Sequence, residues 1–262
     1  MPSIEDNLSA WGTDRHWVED GDEWSRPWGG PEAQWFFSLY PRIQTFLPAA
    51  RILEIAPGFG RWTQFLKAYC EHLTVVDLTP ACIEGCKKRF QSESHIAYHI
   101  NDGRSLDMIP DKALDFAFSF DSLVHVEADV IEAYVNQLAR KLSDNGVGFI
   151  HHSNMGMYLD SATGKLPFEN AHWRAESMTC KLFEKFCDDA NLQCINQELI
   201  NWAEIAFRRL TDCISIFTPK TSIWARPNTV VVNERFCEEA LHIKLLADGY
   251  TFRSRYQLPI SE

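Results

Sequence analysis

The chain has 262 residues, 45% of them hydrophobic, enough for one well-buried domain with surplus for a lid or an extension. Its 25 basic and 36 acidic residues give a formal net charge of −11, and no Lys/Arg-rich run occurs, so nucleic acid and anionic membranes are not expected partners. Eight scattered cysteines without framework spacing, the lack of a signal peptide, and no apolar run near the ~20 residues that span a bilayer point to free thiols in a cytoplasmic protein without membrane insertion.

Residues 1–48 read as an N-terminal helical cap rich in tryptophan: Trp11, Trp17, Trp24, Trp28 and Trp35. These indoles suit either a packed hydrophobic cap or a roof over a substrate pocket, and the two roles are compatible. From Pro31 to Leu47 the spacing of Trp35, Phe36, Leu39, Ile43 and Phe46 predicts a helix leading into the first strand.

The stretch 51–62, Arg-Ile-Leu-Glu-Ile-Ala-Pro-Gly-Phe-Gly-Arg-Trp, is an apolar run carrying one acid, Glu54, that breaks at Gly58 and Gly60 and passes into a helical pattern. Strand, tight glycine turn and helix form a corner where backbone can approach a nucleotide and a helix N-terminus offers free N–H groups. A dinucleotide loop would need a small third residue, but Thr63 stands there, and no Walker G-K-S/T follows. Leu73–Asp77 reads as a second strand ending on an acid, with Thr79 as cap and Pro80 as first residue of the next helix. Ile96–Ile100 is a third strand, followed by Asn101, Asp102 and Gly103. Leu114–Asp121 is an unbroken apolar strand suited to the middle of a parallel sheet, and a helix is expected from about Ala128 to Leu142. After the turn residues 144–146, Val147–Ile150 forms a fifth strand ending in His151, His152, Ser153 and Asn154. Residues 155–176 break the rhythm as an insertion, Ser177 starts a helix, and Leu192–Ile200 and Thr211–Phe217 read as the last two strands. A C-terminal extension runs over 219–262, with a helical pattern from Glu234 to Leu246.

Repeated strand–helix units predict an α/β fold with a doubly wound, mostly parallel, seven-stranded Rossmann-like sheet in a single domain, its core at 49–218. Ligands of such sheets bind beyond the carboxyl ends of the strands. Glu54, Asp77, Asp102, Asp121 and the His151–His152 pair all fall there.

The pattern E-x-A-x-G-x-G, with acids at the next two strand ends, resembles class I S-adenosylmethionine-dependent methyltransferases, with Ala56 in place of their usual first glycine. The tryptophan-rich cap before Ile-Leu-Glu-Ile-Ala-Pro-Gly-Phe-Gly-Arg-Trp-Thr also resembles a bacterial subgroup linked with sugar or glycan O-methylation. The resemblance implies S-adenosylmethionine as cofactor and S-adenosylhomocysteine as product. It places Glu54, Ala56, Pro57, Gly58, Gly60, Trp62, Asp77, Leu78, Asp102, Gly103, Phe120 and Asp121 around them, with Asp77 on the ribose and Asp102 near the adenine amine. Turn chemistry alone would equally explain Asn101-Asp102-Gly103.

Methyl transfer from a sulfonium needs alignment and exclusion of water, and a hydroxyl acceptor also needs a base, for which histidine is suited. His152 with Asn154 is preferred, then His125, with His151 as the third candidate. Side chains alternate along a strand, so only one of 151 and 152 can face a pocket. Trp28, Asn154, His172 and Arg174 are expected substrate contacts. No metal is expected, since no further carboxylates gather around Asp121 and Cys82–Cys86 lacks a second pair. The expected reaction is methyl transfer to a hydroxyl of a small molecule, a saccharide above all, with N-methylation or a nicotinamide-dependent oxidoreductase as alternatives. The sequence leaves the oligomeric state open.

Overall fold

The computed structural model describes residues 2–13, 17–202 and 208–251. The expected extension therefore reaches past the described residues at 252–262. Eight strands form one sheet: β1 (Arg51–Ile55), β2 (His72–Asp77), β3 (Ile96–Ile100), β4 (Leu114–Ser119), β5 (Leu142–Ser153), β6 (Leu192–Ile200), β7 (Asp212–Pro219) and β8 (Thr229–Asn233). Their spatial order is β3-β2-β1-β4-β5-β7-β6-β8. The strands β1 to β5 run parallel, and β7 runs antiparallel between β5 and β6. The order reverses between β1 and β4, the switch point at which open α/β sheets bind ligands.

The helices are α1 (Ile4–Leu8), α2 (Pro31–Gln34), α3 (Tyr40–Ile43), α4 (Thr63–Leu66), α5 (Pro80–Arg89), α6 (Ala128–Lys141), α7 (Cys180–Asp189) and α8 (Phe236–Thr251). Helix α6 buries Val130, Ile131, Tyr134, Val135 and Leu138, a stripe at the 3–4 residue period. The β4 run Phe116, Ala117 and Phe118 is fully buried, as a strand covered on both faces requires. One apolar cluster covers one sheet face with Phe116, Phe118 and Phe149, together with Trp35 of the cap; the other packs Leu53, Ala117 and Phe217 under α6 and α7.

Several expectations change. The sheet has eight strands, not seven, because Thr229–Asn233 adds to β6 in parallel. Its three valines, 230–232, are exposed on both faces, so no alternation marked it as a strand. The predicted 31–47 helix is interrupted by a π-turn at Trp35–Leu39 before α3. Pro41 lacks an N–H and its ring crowds the carbonyl four residues back, which widens the preceding turn. Helix α7 begins at Cys180, where Thr179 Oγ1 accepts from Leu182 N–H at 3.0 Å; Ser177 instead binds Glu127 and Ala128. Strand β5 extends back to Leu142, with a register shift that absorbs the expected turn at 144–146.

Gly148 of β5 faces Phe217, and a Cβ there would lie 2.1 Å from the Phe217 ring. Phe217 is fully buried and packs on Phe183 at 5.6 Å, so it has no room to retreat. Gly148→Ala is expected to lower stability by about 1–3 kcal/mol, read as a lower urea midpoint with an unchanged slope.

Candidate active site

A cavity of about 560 Å³ lies past the carboxyl ends of β1, β2 and β4, within the size range of small-molecule sites. Trp11, Trp17, Trp24 and Trp28 of the cap and residues 171–174 of the insertion wall it from above. Trp35 lies outside it, packed face to face on Phe65 at 5.1 Å. The cap indoles thus divide between core and roof.

Ala56, Pro57, Gly58 and Trp62 line the cavity. Ala56 holds φ +56°, the left-handed region that favours glycine, and Ser122 Oγ donates to its carbonyl at 2.7 Å. A Cβ on Gly58 would meet the Trp17 ring at 3.0 Å, so its bare backbone lets Trp17 stack on Phe59 at 4.7 Å. Gly60 does not line the cavity; the space of its missing side chain is filled by Phe90, the residue that follows α5. Glu54 also stays out of it, buried beneath the loop, where Oε2 accepts from Thr63 Oγ1 at 2.5 Å. That bond explains a threonine at the third position of the loop. Burial pushes the Glu54 carboxyl up to about 8, against the lowering effect of the Thr63 hydroxyl.

Asp77 lines the cavity and ties the corner together: Oδ2 accepts from Gly58 N–H at 3.2 Å, and Oδ1 accepts from Thr79 N–H and Oγ1 at 2.8 and 2.5 Å. Burial raises its pKa, opposed by these Thr79 and Gly58 donors. Leu78, Gly103, Phe120 and Asp121 line the same cavity. Asp102 does not: it is exposed, and its Oδ1 accepts from Arg104 and Ser105 N–H at 2.9 and 2.7 Å. The two turn amides engage its Oδ1, and the side chain stands outside the cavity wall to which Gly103 belongs.

Of the three histidines, His125 alone lines the cavity. Its Nδ1–H donates to the Trp173 carbonyl at 3.0 Å, so Nε2 keeps a lone pair, with no hydrogen-bond partner among the described residues. Burial, then the charge of Arg174, lowers its pKa to about 4. The expectation that His152 and Asn154 face the substrate is corrected. His152 stacks on Phe183 of α7 at 4.4 Å and binds Ser215 Oγ at 2.8 Å, and Asn154 caps Cys180 N–H at 2.8 Å. His151 faces the opposite side, as strand alternation requires, yet lies beneath the cavity, where Nδ1 accepts from Asp121 N–H at 3.1 Å. Its Nε2–H then donates to Asp212 at 3.1 Å.

Asp212, the first residue of β7, is fully buried and receives the Arg174 guanidinium at 2.8 and 3.1 Å. Burial alone would raise its pKa, but Arg174 and His151 hold it well below the usual carboxylate range. Arg174 lines the cavity, lies over Trp202 at 4.9 Å and approaches Asp121 to 3.8 Å; His172 sits exposed at the rim. Arg61 Nη2 donates to Asp121 Oδ2 at 2.8 Å. Trp28 Nε1, Arg61 Nη1 and Trp62 Nε1 are buried cavity-wall donors without a hydrogen-bond partner among the described residues. Sequence reasoning missed Arg61, Trp202 and Asp212. A lone acid opening the otherwise uncharged strand Asp212–Pro219 was the available signal for the last.

Residues 52–146 match the family model described as a methyltransferase domain. The chain is 28% identical over 115 residues to nodulation protein S of Sinorhizobium fredii (strain NBRC 101917 / NGR234), covering 44% of this chain. The match spans about half, 50%, of that relative's length. Among solved structures, a methyltransferase described as SAM-dependent from Methanosarcina mazei superposes with TM-score 0.53 at 16% identity, covering 70% of this chain and 98% of that one. The N-methyltransferase NodS of Bradyrhizobium japonicum WM9 superposes with TM-score 0.51 at 13% identity, covering 69% and 94%. Residues 52–146 are thus similar to a methyltransferase domain, and the sheet that carries them has the fold of these solved methyltransferases.

Proposed function

We propose that the chain methylates an amino group of a small molecule, with His125 as the group that receives the acceptor's N–H. The observation that carries this reading is the His125 ring: Nδ1–H is fixed on the Trp173 carbonyl, and a lone pair is left on Nε2 at the cavity wall. With a proton affinity near pH 4, that nitrogen is too weak a base to strip a hydroxyl, but it can orient an amine by accepting one of its hydrogens. The desolvating indole wall keeps an amine neutral, which leaves its nitrogen lone pair for attack. The names of the relatives support the same chemistry, since a NodS among the structural neighbours is an N-methyltransferase.

The corner fits the cofactor. S-adenosylmethionine, when bound, supplies an activated methyl group on a sulfonium. Asp77 suits ribose hydroxyls, Leu78 and Gly103 suit the flat base, and the bare Gly58 backbone suits close approach. Asp121 and the faces of Trp17 and Trp62 suit a neighbouring positive charge. The cap and the 171–174 segment exclude water, which strengthens each of these interactions. A saccharide hydroxyl is the second reading, favoured by Trp11, whose ring lies 5.2 Å from that of His125 and offers a flat face to a sugar.

Saturating S-adenosylhomocysteine is expected to stabilise the chain, by about 2.7 kcal/mol at a hundred times its dissociation constant. NAD should give no shift in the same calorimetric scan, and Asp77→Asn should weaken the homocysteine compound by about tenfold, the loss of one charged hydrogen bond. With labelled methyl donor, the product of wild-type turnover is expected to be an N-methyl amine, and His125→Leu, which removes the acceptor, to lower kcat by about tenfold, the loss of one orienting hydrogen bond. An O-methyl product transfers the assignment to the second reading.

Burial of neutral His125 and His152 also sets the response to acid. Both pKa values lie near 4, below the ~6.5 of an unfolded histidine, so the unfolded chain binds more protons between these limits. Their contribution to stability is present above pH 6.5 and is lost as pH falls toward 4. Urea midpoints measured across that window should fall, and His152→Asn should flatten the slope.

A further inference from the structure

Helix α8 is apolar on two sides. Its inner side packs on the cap and the sheet: the Phe236 ring lies 6.1 Å from Phe120 and 6.3 Å from Trp202, and Leu241 and Lys244 close over Gly29. At the helical period the opposite side of its C-terminal half carries His242, Ile243, Leu246, Gly249 and Tyr250, with Leu245 beside them. A surface helix ordinarily turns its charged residues to water on that side. Here Lys244 and Asp248 turn inward, where they pair at 2.6 Å, and the outward face between 242 and 250 carries neither a carboxylate nor a lysine.

The side chains on that face are large and open. Ile243, Leu245, Leu246 and Tyr250 are 40%, 61%, 58% and 93% exposed. Together they leave on the order of 500 Å² of apolar surface, the size of the patches through which soluble proteins interact. A lipid surface fits poorly. Helices that lie on membranes are rich in Lys and Arg on their polar face, whereas α8 carries one lysine against three acids in a chain of net charge −11.

We propose that this face binds a second copy of the chain, α8 against α8 about a two-fold axis. A symmetric contact joins identical patches, so an uncharged face meets an uncharged face and the acidic charge of each copy stays off the seam. Two patches of this size bury about 1,000 Å², the area at which a specific interface begins. Leu246 stands at the middle of the stripe, between Ile243 three residues before and Tyr250 four after, the spacing of a helix–helix seam. Gly249 beside it lets the backbones approach, and a Cβ there would meet nothing within 4 Å. The edge strand β8 is the competing surface, with Val230, Val231 and Val232 exposed, but Pro227 before it and Arg235 after it guard that edge. The contact lies outside the cavity. It seats α8 on the 3₁₀ helix Asp22–Trp28, which carries Trp24 and Trp28 of the roof, and adds no residue to the site.

Sedimentation velocity of the full chain over a range of concentrations tests this. Wild type is expected to pass from one copy to two as concentration rises, with a dissociation constant on the order of micromolar, as an interface of this size implies. Leu246→Glu, at an exposed position, should raise that constant by at least about tenfold, since pairing would bury two like charges without partners. The double variant Leu245→Ser, Leu246→Ser adds no charge and should weaken pairing in the same direction through lost apolar area. Val231→Lys, on the edge strand, should leave the constant within about twofold, less than one hydrogen bond is worth. A wild type that stays monomeric, that grows beyond two copies, or that is dissociated by Val231→Lys and not by the α8 variants overturns the inference. Binding of wild type to phosphatidylcholine vesicles that Leu246→Glu abolishes also overturns it, since lipid then covers the face. None of these measurements involves a methyl donor, so their outcome is separate from that of the amine-methylation reading.

Discussion

The buried Asp212 carboxylate is the interaction on which the site depends. It sits at the start of β7 with no exposed surface and is met by the Arg174 fork from the insertion and by His151 from β5. Desolvation of such a charge is expensive, and good geometry with several hydrogen bonds offsets it. Here both conditions hold. Removing Arg174 would leave an uncompensated carboxylate in the core, and removing His151 would leave Asp212 and the Asp121 N–H each one hydrogen bond short. Through them the insertion is anchored to the sheet: Arg174 fixes its neighbour Trp173, whose carbonyl receives the His125 Nδ1–H. On the other side, His151 receives the Asp121 N–H and holds that residue at φ +61°. One carboxylate outside the cavity therefore positions groups on two of its walls.

Backbone strain gathers at the same place. Ala56, Asp121 and Trp173 all line the cavity and all hold positive φ. Non-glycine residues in this region cost of order 1–3 kcal/mol each and persist where the surroundings determine them. For Ala56 the determinant is the Ser122 hydroxyl on its carbonyl, for Asp121 the His151 ring, and for Trp173 the bonds that Asn170 and His125 make to its backbone. The strain is distributed over three loops that meet at the switch point, and each loop is fixed by a polar contact from beneath.

Two carboxylates that look alike in the sequence take different parts. Asp77 is buried yet satisfied by Gly58 and Thr79 donors, so it holds the loop in the shape that admits a ligand. Glu54 is buried one strand over, its Oε1 without a partner among the described residues, and burial raises its proton affinity. It joins the strand to α4 through Thr63, and its role is internal to the corner.

The sequence by itself determined the strand and helix order through β7, the glycine corner and the acid at the end of β2. Each of these is a local pattern: apolar runs, glycines where backbone must pass closely, a Thr-Pro helix start. It also determined that His151 and His152 face opposite ways, because alternation is a property of any extended segment. Tertiary structure decided which faces look into the cavity. His152 and Asn154 turn toward α7, Asp102 turns to its own loop, and His125, Arg61 and Trp202 reach the wall from segments far apart in the chain. Those choices depend on what packs against each face and on which buried charges must be paired, and neither is encoded in the spacing of one segment.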